Sequence, residues 1–191
     1  MRNAVVIDTE TVTGTYGLLS VGAVVIEMDG ERICPLDTFF GFSDEFDYGF
    51  FFAQQQTYTK RNNIKRKARL DIEKELFDML CRYKINTAFA YNARFDKTVV
   101  QTYLPSLKLN WLDLMAPARQ VLADAAHYPA YKKLYPYCEL TRNGLLKRGY
   151  SVECVGRYLG LGQETHVAIE DALMEIEIAV RLGLFSRAAA C

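Results

Sequence analysis

Little in the composition assigns this sequence to a class, and each shortage narrows the field. There is no excess of either charge: 23 basic residues balance 23 acidic ones. Any nucleic-acid partner must therefore be gripped by a local patch rather than a global field. That argues against coating a duplex and leaves room for an enzyme that holds a short strand. Cysteines are few (Cys34, Cys81, Cys138, Cys154, Cys191), scattered, odd in number and without a CxxC pair. This argues against a disulfide framework or a thiolate metal centre and fits incidental thiols in a reducing compartment. No apolar run approaches the ~20 residues of a membrane span. The opening "MRNAVVID" enters a strand-like run with no leader or cleavage site, so no membrane partner and a cytoplasmic location are expected. Repeats and low-complexity linkers are absent too. What remains is a chain of 191 residues, half of them hydrophobic, enough for one domain over 1–191 with a real core.

The pattern along the chain alternates. "AVVID" (4–8) is a short β-branched run, the mark of a central strand. "LLSVGAVVIEMDGERICPLDTFF" follows, with Asp29-Gly30 between two strand-like halves, a strong hairpin signal. "LDIEKELFDMLCRY" (70–83) places Leu70, Leu76, Phe77, Leu80 and Cys81 near helical spacing. "NTAFAYN" (86–92) reads as a fourth strand and "FDKTVVQTYL" (95–104) as a helix; a further helix starts or breaks near Pro117. Residues 127–150 show no clear period. "VECVGRYLGL" (152–161) fits a short helix ended by glycine. "HVAIEDALMEIEIAVRL" (166–182) sets Ala168, Ala172, Ile176, Ala179 and Val180 on one stripe. The reading is one α/β domain.

Four carboxylates stand where this pattern wants something else. Asp8 and Glu10 end the first strand two positions apart, so the period of two points both to one face. Side by side they repel unless a positive group lies between them. A hard divalent cation is the simplest such group; a turn cap plus a solvated acid is the plain alternative. Asp96 precedes Val99 and Val100 by three and four residues and so borders the apolar side of its helix. The helix dipole explains an acid in the first turn, but not its direction around the axis. Asp171 lies three residues after Ala168 and one before Ala172, at the margin of the inward stripe. His166 is five residues earlier. If both were helical they would lie about 140° apart, so they converge better with His166 in the loop before the helix.

Taken in order, "VVIDTET", "YNARFD" and "HVAIEDA" resemble the three motifs of the DEDDh, DnaQ-like 3′–5′ exonucleases, and the resemblance covers nearly the whole chain. "AYNARFD" and "YPYCELTRNG" more loosely resemble exonuclease-domain proteins of phages and prophages of Gram-positive bacteria. The resemblance implies a ribonuclease H-like fold, a five-stranded mixed sheet flanked by helices. It also implies hydrolysis at the 3′ end of single-stranded DNA or RNA, with release of nucleoside monophosphates. Two divalent cations, Mg²⁺ or Mn²⁺, would serve both ends of an in-line displacement. On this reading Asp8 bridges the cations, Glu10 and Asp171 complete the site on the nucleophile side, and Asp96 supports the other. His166 would be the general base, its pKa raised by neighbouring carboxylates. Thr11 and "YGLLS" (16–20) match the region that holds the terminal nucleotide, with Leu18 or Leu19 as a wedge between bases. "DTETVTGTYG" departs from the usual spacing by inserted residues, and Tyr91 stands where many relatives have histidine. Asn92 could contact the strand near the scissile phosphate or cap the following helix. There is no polymerase region, so proofreading would need a polymerase or other replication protein in trans.

Two patches keep alternatives open. "KRNNIKRKAR" (60–69) could neutralise phosphates or be a solvated segment. Tyr128, Tyr131, Tyr135 and Tyr137, interleaved with Lys132 and Lys133, could stack on bases or pack the core. The aromatic run from Phe39 to Phe52 suggests packing, a lid or a dimer contact, and His127 receives no role.

Overall fold

The computed structural model describes residues 2–12, 17–30 and 32–189. β1 (Arg2–Thr11), β2 (Leu18–Asp29) and β3 (Arg32–Phe42) form an antiparallel meander. Asp29 pairs with Arg32, and Gly30 takes φ 62°, the left-handed backbone that a tight hairpin needs and glycine accepts. β4 (Thr87–Ala90) runs parallel to β1, and β5 (Asn110–Asp113) parallel to β4. The order β3-β2-β1-β4-β5 makes a five-stranded mixed sheet. The helices are α1 (Phe52–Arg61), α2 (Arg69–Arg82), α3 (Ala93–Tyr103), α4 (Met115–Val121), α5 (Tyr128–Leu134), α6 (Val152–Tyr158), α7 (Ala168–Arg181) and α8 (Leu184–Ala188).

Alternation along β1 divides the core in two. Val5 and Ile7 face Ile72 and Leu76 of α2 and Val99 and Val100 of α3. Ala4 and Val6 face Ala172, Ile176 and Ala179 of α7, and Phe185 of α8. Where the two layers end, the strand reaches its carboxylates. Opposite Asp8 in the β1–β2 ladder is Gly22, and a Cβ there would lie 2.3 Å from the Ala168 carbonyl carbon and from the Ile169 nitrogen. Glycine at this point lets the first turn of α7 rest directly on the sheet.

Several expected details shift. In α2, Leu76 and Leu80 are buried as expected, but Leu70, Phe77 and Cys81 are exposed; Ile72 and Met79 take their places. The inward stripe runs 72, 76, 79 and 80, the i, i+4, i+7, i+8 set of a core-facing helix. Val180 is exposed in α7, where Ile178 and Glu175 turn inward instead. "NWLD" is the fifth strand, too short for its period to be read, and the helix around Pro117 begins at Met115. α1 and α5 fall in stretches that show no helical period. Among the described residues, no helix is long and apolar enough to cross a membrane.

Candidate active site

Even-numbered positions of β1 point to α7, so Asp8 and Glu10 continue the file begun by Ala4 and Val6. Asp171, 3 % exposed, comes from the first turn of α7 and accepts the Thr165 N–H at 3.1 Å. Asp96, 2 % exposed, arrives from α3 on the other layer. Its Oδ1 accepts both the N–H and the hydroxyl of Thr9, at 2.9 and 2.8 Å. Thr9 faces α3 because it alternates with Asp8 and Glu10. The inward direction of Asp96 therefore has a structural cause: it is latched to the strand that carries the other two acids.

His166 stands in the loop before α7, as expected. Its φ of 56° is left-handed, costly for a residue with a Cβ and held here from two sides. Gln55 of α1 donates its amide to the His166 carbonyl, and the Phe51 ring stacks on the imidazole, centroids 3.9 Å apart. Nδ1 of His166 lies 3.8 Å from a Glu10 oxygen. Ligand atoms of Glu10, His166 and Asp171 all fall within 4.8 Å of one another. Asp8 and Asp96 lie outside that ring and are tied to it electrostatically.

Burial above all, and then mutual repulsion, raises every carboxyl here. Asp8 is pushed well up by burial, then by Asp96, Glu175, Glu10 and Asp171. Glu10 rises to about 8, through burial and then Asp171. Asp96 rises to about 7 through burial, although the two Thr9 hydrogen bonds oppose the shift. Asp171 rises to about 6 through burial, opposed by backbone N–H groups. His166 moves opposite to expectation: burial lowers its pKa. The reason is local. Phe51 covers one face of the ring, and the desolvation outweighs the opposing pull of the Glu153 carboxylate.

Two further acids belong to the cluster. Glu175, 2 % exposed, sits one turn after Asp171, accepts the Tyr91 N–H at 3.1 Å, and is pushed well up by burial and then Asp96. Its signal was present in the sequence, an acid four residues from Asp171 and thus on the same helical face. Glu164 rises to about 7 through burial and then Asp171. Phe51 and Gln55, which hold His166, left no sequence signal.

The donor set fits a divalent cation. Among the described residues, Asp8 Oδ2 is a buried side-chain oxygen with no hydrogen-bond partner, an arrangement that costs about 1–3 kcal/mol unless something positive satisfies it. Crowded hard oxygens with one imidazole suit Mg²⁺ or Mn²⁺. Asp8, Glu10, Asp96 and Asp171 are the residues that could hold them.

The substrate-side expectations fare unevenly. Leu18 is 1 % and Leu19 0 % exposed. Leu18 packs with Val21 and Ile7, and Leu19 with Val12 and Phe42, so neither presents a face to a base. Thr11 is half-buried at the irregularity that ends the β1–β2 ladder. Residues 13–16, with most of the expected insertion, lie outside the described residues. Asn92 does not cap α3 with its side chain; Asp113 of β5 accepts the N–H groups of Asn92 and Ala93, both at 3.0 Å. The Asn92 side chain is exposed instead.

Half of the basic segment is structural. Arg66 binds the carbonyls of Ser43 and Phe46 and pairs with Asp47, Lys67 pairs with Glu75, and Arg69 binds the Tyr103 carbonyl. Tyr131 and Tyr135 are core, Tyr128 is half-buried, and Tyr137 is 52 % exposed. Lys132 binds the carbonyls of Pro136 and Cys138. The aromatic run divides likewise: Phe42 is buried, whereas Tyr48 and Phe50 are exposed. His127 bonds the Tyr158 hydroxyl at 3.1 Å.

No family model and no curated protein sequence matches the chain. Solved structures do. Exonuclease X in complex with 5′-overhanging duplex DNA aligns with a TM-score of 0.55 at 15% identity, over 97% of this chain and 93% of that one. A 3′-exonuclease in a structure of 3′-end-specific recognition of a histone mRNA stem-loop aligns with a TM-score of 0.59 at 12% identity, over 94% of this chain and 80% of that one. At such identities the likeness carries the fold, and that fold is the ribonuclease H-like α/β one.

Proposed function

We propose that residues 1–191 form one exonuclease domain of DEDDh type. It hydrolyses the phosphodiester bond at the 3′ end of single-stranded DNA or RNA, releases nucleoside monophosphates, and depends on two divalent cations, Mg²⁺ or Mn²⁺. One observation carries the reading. Acids from three separate elements converge at the end of the central strand, with His166 beside them at 3.8 Å from Glu10 and, among the described residues, no lysine or arginine paired with Asp8, Glu10, Asp96 or Asp171. A structural cluster would bring its own lysines or arginines; this one leaves the compensation to a ligand.

Asp8, Glu10, Asp96 and Asp171 would hold the cations. Bound there, these would neutralise phosphate charge and lower the pKa of an attacking water. The chain supplies the rest. Thr9 fixes Asp96, and the Gly22 contact seats α7 so that Asp171 and Glu10 meet. His166, whose burial favours the neutral imidazole, would offer a lone pair for the proton of the attacking water. Gln55 and Phe51 hold its ring in place. Thr11 and the exposed Asn92 would meet the terminal nucleotide. The similar folds include one solved with DNA and one solved with an mRNA stem-loop, which supports keeping both sugars. A proofreading use, with a polymerase or other replication protein as partner, belongs to the same proposal.

The test is a 5′-labelled single strand of one sequence, as DNA and as RNA, with Mg²⁺ or Mn²⁺. A ladder shortening from the 3′ end, lost with chelator and in Asp8→Ala, is the expected result. Intact oligonucleotides in all lanes would end the proposal.

A further inference from the structure

A cavity of about 600 Å³ opens beside the carboxylates, within the ~300–1,000 Å³ typical of small-ligand sites. Its lining includes Asn92 and Glu164, which border the acids, and Tyr137, Lys147, Arg148 and Tyr150. None of the last four is used by the reaction as described above. We propose that this cavity is a strand-binding subsite. It seats one nucleotide of the substrate next to the scissile bond, with Arg148 and Lys147 on phosphate oxygens and the Tyr137 ring against the base. The proposal rests on the nuclease reading and adds to it a second place where the strand is held.

Charge complementarity selects the occupant. The acids would repel a polyanion that approached unaided, and Arg148 and Lys147, both exposed, bring positive charge to the adjoining wall. Lys147 pairs with exposed Glu139 at 3.5 Å, a contact weak enough to be exchanged for a phosphate. The half-exposed ring of Tyr137 provides a stacking face, which any base can use.

The wall is also built before anything binds. Three phenol hydroxyls staple it from below: Tyr91 to the Tyr150 carbonyl at 2.7 Å, Tyr135 to the Cys154 carbonyl at 2.9 Å, and Tyr131 to the Gly149 carbonyl. The Arg119 guanidinium covers the Tyr150 ring at 4.5 Å. Gly149, at φ 71°, is pressed so close that a Cβ would sit 2.5 Å from the Cys138 sulfur and 3.1 Å from the Tyr137 ring. This rigidity means that little ordering remains to be done on binding. It also gives Tyr91 a purpose. Its backbone N–H is held by catalytic-side Glu175 and its hydroxyl by the wall, so one residue sets the spacing between the acids and the subsite.

The experiment is fluorescence anisotropy of 5′-labelled hexanucleotides, DNA and RNA of one sequence, on the full chain with Ca²⁺ in place of Mg²⁺. Tyr137→Ala and Arg148→Ala should each weaken binding about tenfold, and Tyr137→Phe should bind as wild type. Arg148→Ala should also lower the salt slope by about one. Weakening on one sugar alone would support the subsite and name the substrate. Wild-type affinity in both Ala variants, or no binding by the wild type, overturns the subsite. If Mn²⁺-dependent cleavage lost in Asp8→Ala persists in those cases, the nuclease reading survives; if cleavage is absent too, both fall.

Discussion

The two halves of the β1–α7 interface are made by the same strand and the same helix, yet they obey opposite rules. In the rear half, Ala4 and Val6 meet Ala172, Ile176 and Ala179, all fully or nearly fully buried hydrocarbon. In the front half the same files carry Asp8, Glu10, Asp171 and Glu175, and burial pushes every one of them toward the protonated form. The rear half stabilises the fold by removing apolar surface from water. The front half costs stability, because buried like charges repel and Asp8 Oδ2 has no donor. A chain keeps such an arrangement where a ligand offsets it, and the rear half is what makes it tolerable.

The contrast can be broken most severely at the acids. Asp171→Ala should reduce the proposed exonuclease activity by ~10³-fold or more, on the order of 4 kcal/mol in the barrier, while the protein stays folded by circular dichroism. His166→Ala should follow, with a loss of ~10²–10⁴-fold expected of a general base. Phe51→Ala, which uncovers that ring without removing it, should lose about tenfold and move the pH profile of the rate. Gly22→Ala attacks the seam between the halves. Its Cβ would meet the α7 backbone at 2.3 Å, so thermal unfolding should show a loss of about 3 kcal/mol, roughly 9 °C in Tm.

The smallest effect sharpens the contrast rather than breaking it. Glu10, Asp96 and Asp171 have folded-state values of about 8, 7 and 6, above the 3.8–4.5 of the free side chains. The folded state thus binds more protons than the unfolded one. Stability that is full at low pH should drain away as pH rises from about 4 to about 8. Without metal, Tm should fall as pH rises from 5 to 8, and Asp171→Asn should flatten that slope.

How far the sequence could be read follows the same division. The meander is legible from the β-branched runs and Asp29-Gly30, because strand period and turn chemistry are local. Asp96 is legible because an acid before Val99 and Val100 interrupts an apolar stripe. Glu175 interrupts its stripe in the same way, but Glu170 and Glu177 surround it and make the helix look merely acidic. α2 shows how little a period fixes phase: Leu70 and Phe77 satisfy the spacing yet face solvent, because the sheet meets Ile72 and Leu76. Leu18 and Leu19 illustrate the same limit, since a motif position cannot say whether a leucine is buried. The walls of the site are the least legible part. Phe51 on His166, Gln55 on its carbonyl and Tyr91 on Tyr150 join residues 59 to 115 positions apart, which no local pattern records.

If divalent cations hold the front half together, as proposed, a Tm measurement at pH 7.5 with and without Mn²⁺ will reveal it. At about 100 times the dissociation constant, Mn²⁺ should stabilise the wild type by about 2.7 kcal/mol, roughly 5–10 °C, and leave an Asp8→Asn, Asp171→Asn double variant unmoved. An unchanged wild-type Tm, or an equal rise in the double variant, would mean that these carboxylates do not hold a cation.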